Sequence, residues 1–309
     1  MKSLYVQDIS NNSLIEEVFA LDSGELLPFR NKPGRFLKLV MSDKTGTISA
    51  ILWDDAEDVY NQIVESDFIK IAGRANTYKD TLTITAEHIK SVDIKDVDIS
   101  DFLPVTSKNI DEMLEIIRAT INNVDNSHLR KLLNNFWTDD KFRTAFAKAP
   151  AARGNHHAYI GGLLEHTTNM LNLVPALCAN YPVDKDLLCA GTLLHDIGKI
   201  KEYQCITSID TTDEGRLLGH IVIGIQMIEE KILEIDDFPK ELRLKLLHMI
   251  TSHHGHYEWQ SPKKPKFLEA CLLHHIDLVD ARVCGYLNTE ESTDDWVYSK
   301  SLDQWVHKT

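Results

Sequence analysis

What most restricts the fold of this chain is a change of hydrophobic period near residue 107. Upstream of it, apolar residues alternate or gather in short runs separated by turn formers. Downstream they recur at helical spacing. A strand pattern and a helix pattern that do not mix describe two consecutive folds, and 309 residues leave room for both.

The first part reads as β-structure. "LIEEVFALD" (14–22), "RFLKLVM" (35–41), "GTISAILW" (46–53), "DFIKIAGRANTY" (67–78) and "TLTITAEHI" (81–89) are strand-like, with "SDKT" and Lys79-Asp80 as turns. "DDAEDVYNQIVES" (54–66) is long enough for one helix between the third and fourth strands. That order predicts a five-stranded OB-fold β-barrel over residues 1–92, with another small β-barrel as the alternative. Residues 93–106, acidic and holding Pro104, read as a linker.

The second part, residues 107–287, predicts an all-α helical bundle. Ile110, Met113, Leu114, Ile117 and Ile121 form one stripe, with Ser107 expected as its cap. Further helices are expected at about 127–136, 139–147, 157–180, 185–196, 220–235, 239–253 and 266–287, several announced by proline. The 288–309 tail is polar, but Trp296 and Trp305 predict that part of it packs.

Composition narrows the classes. A net charge of −14 opposes general attraction to nucleic acid, although a local basic groove remains compatible with it. No apolar run approaches the roughly 20 residues of a membrane span, and "MKSLYVQDISNNS" lacks the apolar centre of a secretory signal. The five cysteines are odd in number and hold no C-x-x-C pair, which argues against a disulfide framework or a thiolate zinc site. A reducing cytoplasm is expected, with four of the five, in apolar helical stretches, read as core residues.

Histidine is concentrated: eleven of fourteen lie between His156 and His275. His166, His195-Asp196, His220, His253-His254 and Asp277 sit on or at the ends of different expected helices, each bordered by apolar or small residues. Facing helices build metal sites in this way. His88, His248, His256, His274 and His275 read as ordinary core or surface residues. Nitrogen and oxygen donors without thiolate favour Mn²⁺, Fe²⁺, Co²⁺, Mg²⁺ or Zn²⁺. Seven ligands suit two ions sharing a bridge, and Asp196 is the natural bridge. Lys199, one turn after His195, is positioned to put its charge on a phosphate oxygen.

The order H…HD…H…HH…D resembles that of the HD-domain metal-dependent phosphohydrolases. The whole layout is similar to YhaM-type 3′→5′ exoribonucleases, an OB-fold ahead of an HD domain. "LVMSDKTGTISAILWD", "APAARGNHHAYIGGLLEHT", "LLHDIGKIKEY", "TDEGRLLGHIVIG" and "HMITSHHGHYEWQSPKKPKFLEACLLHHIDLVDA" carry the resemblance, across about residues 14–284. It implies a cytoplasmic enzyme using a divalent metal, commonly Mn²⁺, to release nucleoside 5′-monophosphates from single-stranded RNA. It also implies that His166, His195, Asp196, His220, His253, His254 and Asp277 are the metal set. Gln260 and Leu278 depart from the pattern, which has Gly and Asn there.

Secondary expectations follow. His156, His157 and Tyr159 are expected to line the substrate mouth, and Lys263 and Lys264 of "SPKKPK" to hold RNA phosphates. On the barrel, Arg30, Lys32, Arg35 and Lys79 supply charge, and Phe36, Trp53 and Tyr78 supply stacking platforms for single-stranded RNA or DNA. Against this, residues 1–98 carry 11 basic and 17 acidic side chains, a net of −6, which leaves a protein-binding barrel open. Other readings are an HD phosphohydrolase of nucleotides or cyclic dinucleotides, a nucleic-acid-binding regulator, and an HD-fold di-iron oxygenase. A homo-oligomer also stays open.

Overall fold

The computed structural model describes residues 2–78, 81–154, 157–287, 295–299 and 302–307, with Tyr78 through its backbone alone. Contacts divide the chain into two compact units, residues 1–104 with 205–208 and residues 105–204 with 209–309.

The first unit is a closed barrel of β1 (Leu14–Pro28), β2 (Arg35–Asp43), β3 (Gly46–Leu52), β4 (Phe68–Tyr78) and β5 (Thr81–Val92), in the order β1-β2-β3-β5-β4. All neighbours are antiparallel except β3 and β5. Alternation drives it: Leu37, Leu39 and Met41 of β2 and Ile48, Ala50 and Leu52 of β3 point into one core. Helix α1 (Ala56–Ile63) adds Ala56 and Ile63 to that core. Strand β1 runs past the expected Asp22 because a register shift between Leu21 and Ser23 bends it. Its first half then pairs with β4 and its second with β2.

The expected linker is not a free connection. Residues 94–96 and 99–101 form 3₁₀ turns, and Phe102 packs on Phe68 with ring centroids 4.8 Å apart. Burial of Phe102 and Leu103 is reason enough for the stretch to fold with the barrel unit.

The second unit contains α2 (Ile110–Asn122), α3 (Ser127–Trp137), α4 (Asp140–Lys148), α5 (Gly162–Asn180), α6 (Lys185–Leu194) and the short α7 (Lys199–Glu202). A hairpin of β6 (Tyr203–Cys205) and β7 (Ile209–Thr211) follows, then α8 (Asp213–Leu233), α9 (Lys240–Ser252), α10 (Leu268–Leu287) and the hairpin β8 (Trp296–Ser299) with β9 (Gln304–His307). Residues from α2 through α10 share one apolar core. The cap of α2 is Asn109, whose side chain accepts from the Asp111 and Glu112 N–H groups, rather than Ser107. Helix α8 starts earlier than expected because Thr212 caps it. The tail packs through Leu302, Ser299 and Val306, whereas Trp296 and Trp305 are exposed. The five cysteines form no disulfide among the described residues, and Cys271 is exposed rather than core. No helix among the described residues is long and apolar enough to cross a membrane.

Candidate metal centre

Helix α5 carries His166; the turn after α6 carries His195 and Asp196; α8 carries His220; the end of α9 carries His253 and His254; α10 carries Asp277. Two glycines set this up. A Cβ on Gly198 would lie 2.0 Å from the His220 carbonyl oxygen, so only glycine lets the His195–Lys199 turn meet α8 backbone to backbone. Gly219 breaks α8 with φ 71°, a region that favours glycine, and reorients the chain just before His220.

The seven residues converge. Asp196 Oδ2 lies 3.2 Å from His195 Nε2 and 3.7 Å from His166 Nε2. Its Oδ1 lies 3.5 Å from His220 Nε2 and 3.7 Å from His253 Nε2. His166 Nε2 is 3.4 Å from Asp277 Oδ1 and 3.2 Å from His195 Nε2. The donors form two triads, His166/His195/Asp277 and His220/His253/His254, each with its ligand atoms within 4.8 Å of one another. The Asp196 carboxylate turns one oxygen toward each.

Every ring in the centre has an acceptor at Nδ1. His166 meets Asp280 Oδ2 at 2.7 Å, His195 the Thr192 carbonyl at 2.9 Å, and His253 the Ile250 carbonyl at 2.7 Å. His254 meets the Trp259 carbonyl at 2.8 Å. His220 Nδ1 lies 3.0 Å from Glu202 Oε2, within ion-pair distance but off the line of a straight hydrogen bond. A proton held at Nδ1 leaves Nε2 as a lone pair aimed at the centre. Asp196 Oδ1, His220 Nε2 and His253 Nε2 are buried without a hydrogen-bond partner. Each such atom costs about 1–3 kcal/mol, and a divalent cation among them would satisfy all three.

At His166 burial pulls the ring down, but Asp277 and Asp280 raise it to about 9, so a cation there would have to displace a proton. The other shifts favour ligation directly. Burial lifts the Asp196 carboxyl, but His195, Lys199 and His220 hold it well below the ordinary carboxylate range. Burial likewise opposes, and His166, His195 and His253 reverse, the shift at Asp277, which also ends low. Burial and the neighbouring His254 and His195 push His253 down, which keeps that ring neutral.

Lys199 Nζ sits 2.6 Å from Asp196 Oδ2 and faces a pocket of about 560 Å³, also lined by Asp196, His254, Trp259, Asp277 and Arg282. Of the expected mouth residues, His157 and Tyr159 are not among the described walls of this pocket. His157 is buried behind His166, with Nε2 2.7 Å from Asp280 Oδ2 and Nδ1 2.8 Å from the Tyr159 hydroxyl. Tyr159 donates to Glu165 at 2.9 Å. His156 lies outside the described residues. Lys263 and Lys264 are exposed and are not among the described walls of the pocket. Sequence reasoning missed Asp280 and Glu202. Their signal was spacing: each stands three residues, one helical turn, after an assigned residue, Asp277 or Lys199. His274, read as an ordinary core residue, is buried with Nδ1 2.7 Å from the His253 carbonyl.

On the barrel, Phe36 and Trp53 come together with ring centroids 5.1 Å apart, and Phe29, unassigned from sequence, completes the cluster at 5.5 and 6.1 Å. Lys32 Nζ lies 4.0 Å above the Phe29 ring. Arg30 is exposed, and Arg35 is 3.9 Å from Glu57. The Tyr78 side chain and Lys79 lie outside the described residues.

Residues 163–282 match the family model of the HD domain, and residues 23–92 match that of the OB-fold nucleic acid binding domain. Among solved structures, the second OB-fold domain of replication protein A from Methanococcus maripaludis is similar at 15% identity and a TM-score of 0.24. That match covers 29% of this chain and 94% of that one. The chain therefore joins an OB-fold nucleic acid binding domain to an HD domain, the equipment of a metal-dependent hydrolase that acts on nucleic acid.

Proposed function

We propose that this protein is a 3′→5′ exoribonuclease that shortens single-stranded RNA to nucleoside 5′-monophosphates, with single-stranded DNA as a second substrate. The observation that carries the reading is the paired triads around one shared carboxylate, in a chain that also holds a nucleic-acid-binding barrel. His166, His195 and Asp277 would hold one divalent cation and His220, His253 and His254 a second, with the Asp196 carboxylate between the two triads. Mn²⁺ is the preferred ion, with Co²⁺, Mg²⁺ or Fe²⁺ as substitutes. When bound, such a pair supplies Lewis-acid polarisation of the phosphodiester and a nucleophile at neutral pH.

The chain's own residues do the rest. Hydrogen bonds at Nδ1 hold His166, His195, His253 and His254 in one tautomer and orientation, and the Glu202 carboxylate faces the Nδ1 of His220. Lys199 brings a buried positive charge to the edge of the pocket, where phosphate oxygens enter. The pocket volume falls within the range of roughly 300–1,000 Å³ that small-molecule sites occupy, which suits the terminal nucleotide of a strand. Polarity from the 3′ end and the choice of RNA rest on the resemblance to the YhaM-type enzymes. A reducing, cytoplasmic setting is proposed from the odd cysteine count without a C-x-x-C pair.

The test is RNA labelled at its 5′ end, incubated with Mn²⁺-loaded protein. A ladder that shortens stepwise, releases 5′-monophosphates and slows on a 3′-phosphate is expected. A first product cut internally would make the protein an endonuclease. Turnover of mononucleotides or cyclic dinucleotides with RNA left intact would favour a small-substrate phosphohydrolase.

A further inference from the structure

Of the five histidines in the centre, three are backed at Nδ1 by main-chain carbonyls: His195, His253 and His254. Only His166 and His220 are backed by carboxylates, those of Asp280 and Glu202. These two rings fall in different triads. We infer that Asp280 and Glu202 are positioning residues that set the cation affinity of the two halves of the centre separately. The inference rests on the two-cation reading above and adds to it which residue controls which half.

Both carboxylates are buried; Asp280 is held by residues outside the centre, and Glu202 by the backbone of His220 itself. Asp280 accepts from Asn169 Nδ2 at 2.7 Å on Oδ1, and its Oδ2 meets both His157 Nε2 and His166 Nδ1 at 2.7 Å. Glu202 accepts the backbone N–H of His220 at 3.2 Å on one oxygen and faces that ring's Nδ1 with the other. A fixed carboxylate behind an imidazole orients the ring and makes its far nitrogen a stronger donor. Loss of such a partner costs about 10–100-fold in metal affinity. The carbonyls are neutral and belong to the backbone, so they give no comparable adjustment. His157, His166 and Asp280 also lie close enough to suggest a third cation site. Their 2.7 Å spacings are hydrogen bonds, however, and His166 turns its other nitrogen to the centre.

Full-length Asp280→Asn and Glu202→Gln, nearly isosteric, are titrated with Mn²⁺ by calorimetry, and bound metal is counted after dialysis. Asp280→Asn should weaken one of two equivalents by tenfold or more and Glu202→Gln the other. In an Asp277→Asn background, which removes a donor from one triad only, Asp280→Asn should add nothing, and Glu202→Gln should still weaken the remaining equivalent. His157→Gln, which leaves the Asp280–His166 pair in place, should change affinity less than threefold. The inference is overturned if both variants weaken the same equivalent, if either weakens both equally, or if His157→Gln matches Asp280→Asn. Fewer than two equivalents in the unaltered protein would instead overturn the two-cation reading itself.

Discussion

Asp196 shows how much one residue determines here. Both its oxygens face imidazole nitrogens of opposite triads, and Lys199 neutralises it from the pocket side. Asp196→Ala should abolish hydrolysis of every substrate, because both halves lose a donor, while RNA affinity through the barrel persists. Residual turnover above a few per cent in single-turnover assays would remove Asp196 from the bridging position. A second residue-scale effect concerns acid stability. Burial raises the Glu17 carboxyl, but the N–H groups of Ser3, Val18 and Leu4 and the Ser3 hydroxyl bring it below its ordinary value of 4.5. A carboxyl depressed in the folded state stabilises it fully above pH 4.5 and loses that contribution as pH falls through the folded value. Glu17→Gln should flatten the acid limb of a stability–pH profile measured by urea unfolding; an unchanged limb would place the acid sensitivity elsewhere.

At the scale of elements, the centre depends on how helices end. Helix α9 stops at Ser252, and a 3₁₀ turn over Tyr257–Trp259 returns the chain so that the Trp259 carbonyl accepts from His254. Gln260 closes that turn at φ 63°, where a side chain costs about 1–2 kcal/mol and glycine little. The resemblance to the YhaM-type enzymes implies glycine at this position, which a left-handed backbone would favour. Gln260→Gly should stabilise the protein by about 1 kcal/mol in denaturant titration, with Mn²⁺ stoichiometry intact. A loss of stability would mean that the Gln260 side chain makes up for its strained backbone.

At the scale of the whole molecule, the proposed function assigns strand binding and bond cleavage to different units of the chain. The aromatic cluster of Phe29, Phe36 and Trp53 lies on the barrel, and all seven donors lie in the helical unit. Trp53→Ala should therefore weaken binding of single-stranded RNA by about 1–3 kcal/mol, the worth of one base stack. Arg30→Ala should shallow the log–log salt dependence by about 0.7 if Arg30 neutralises one phosphate. Neither should alter turnover of a model phosphodiester. RNA affinity and salt slope that ignore both changes would favour a protein-docking barrel, in keeping with its net negative charge.

Two classes of information separate cleanly. Hydrophobic period is a local property, so the barrel, the helix between its third and fourth strands, and the bundle were legible from the chain alone. The donor set was legible too, because imidazoles and carboxylates among leucines need partners wherever they end up. Hydrogen-bond partners are another matter. Asp280 meets His166 across 114 residues of sequence, and His157 turns inward to the same carboxylate instead of lining a mouth. Phe29 joins Trp53 only because the strands that flank the first loop close into a barrel. Which ring edge faces a metal and which faces a carboxylate is settled by the convergence of α5, α8 and α10 in space. Spacing along the chain marks Asp280 and Glu202 only as helical-turn neighbours of assigned residues and does not say which ring each meets.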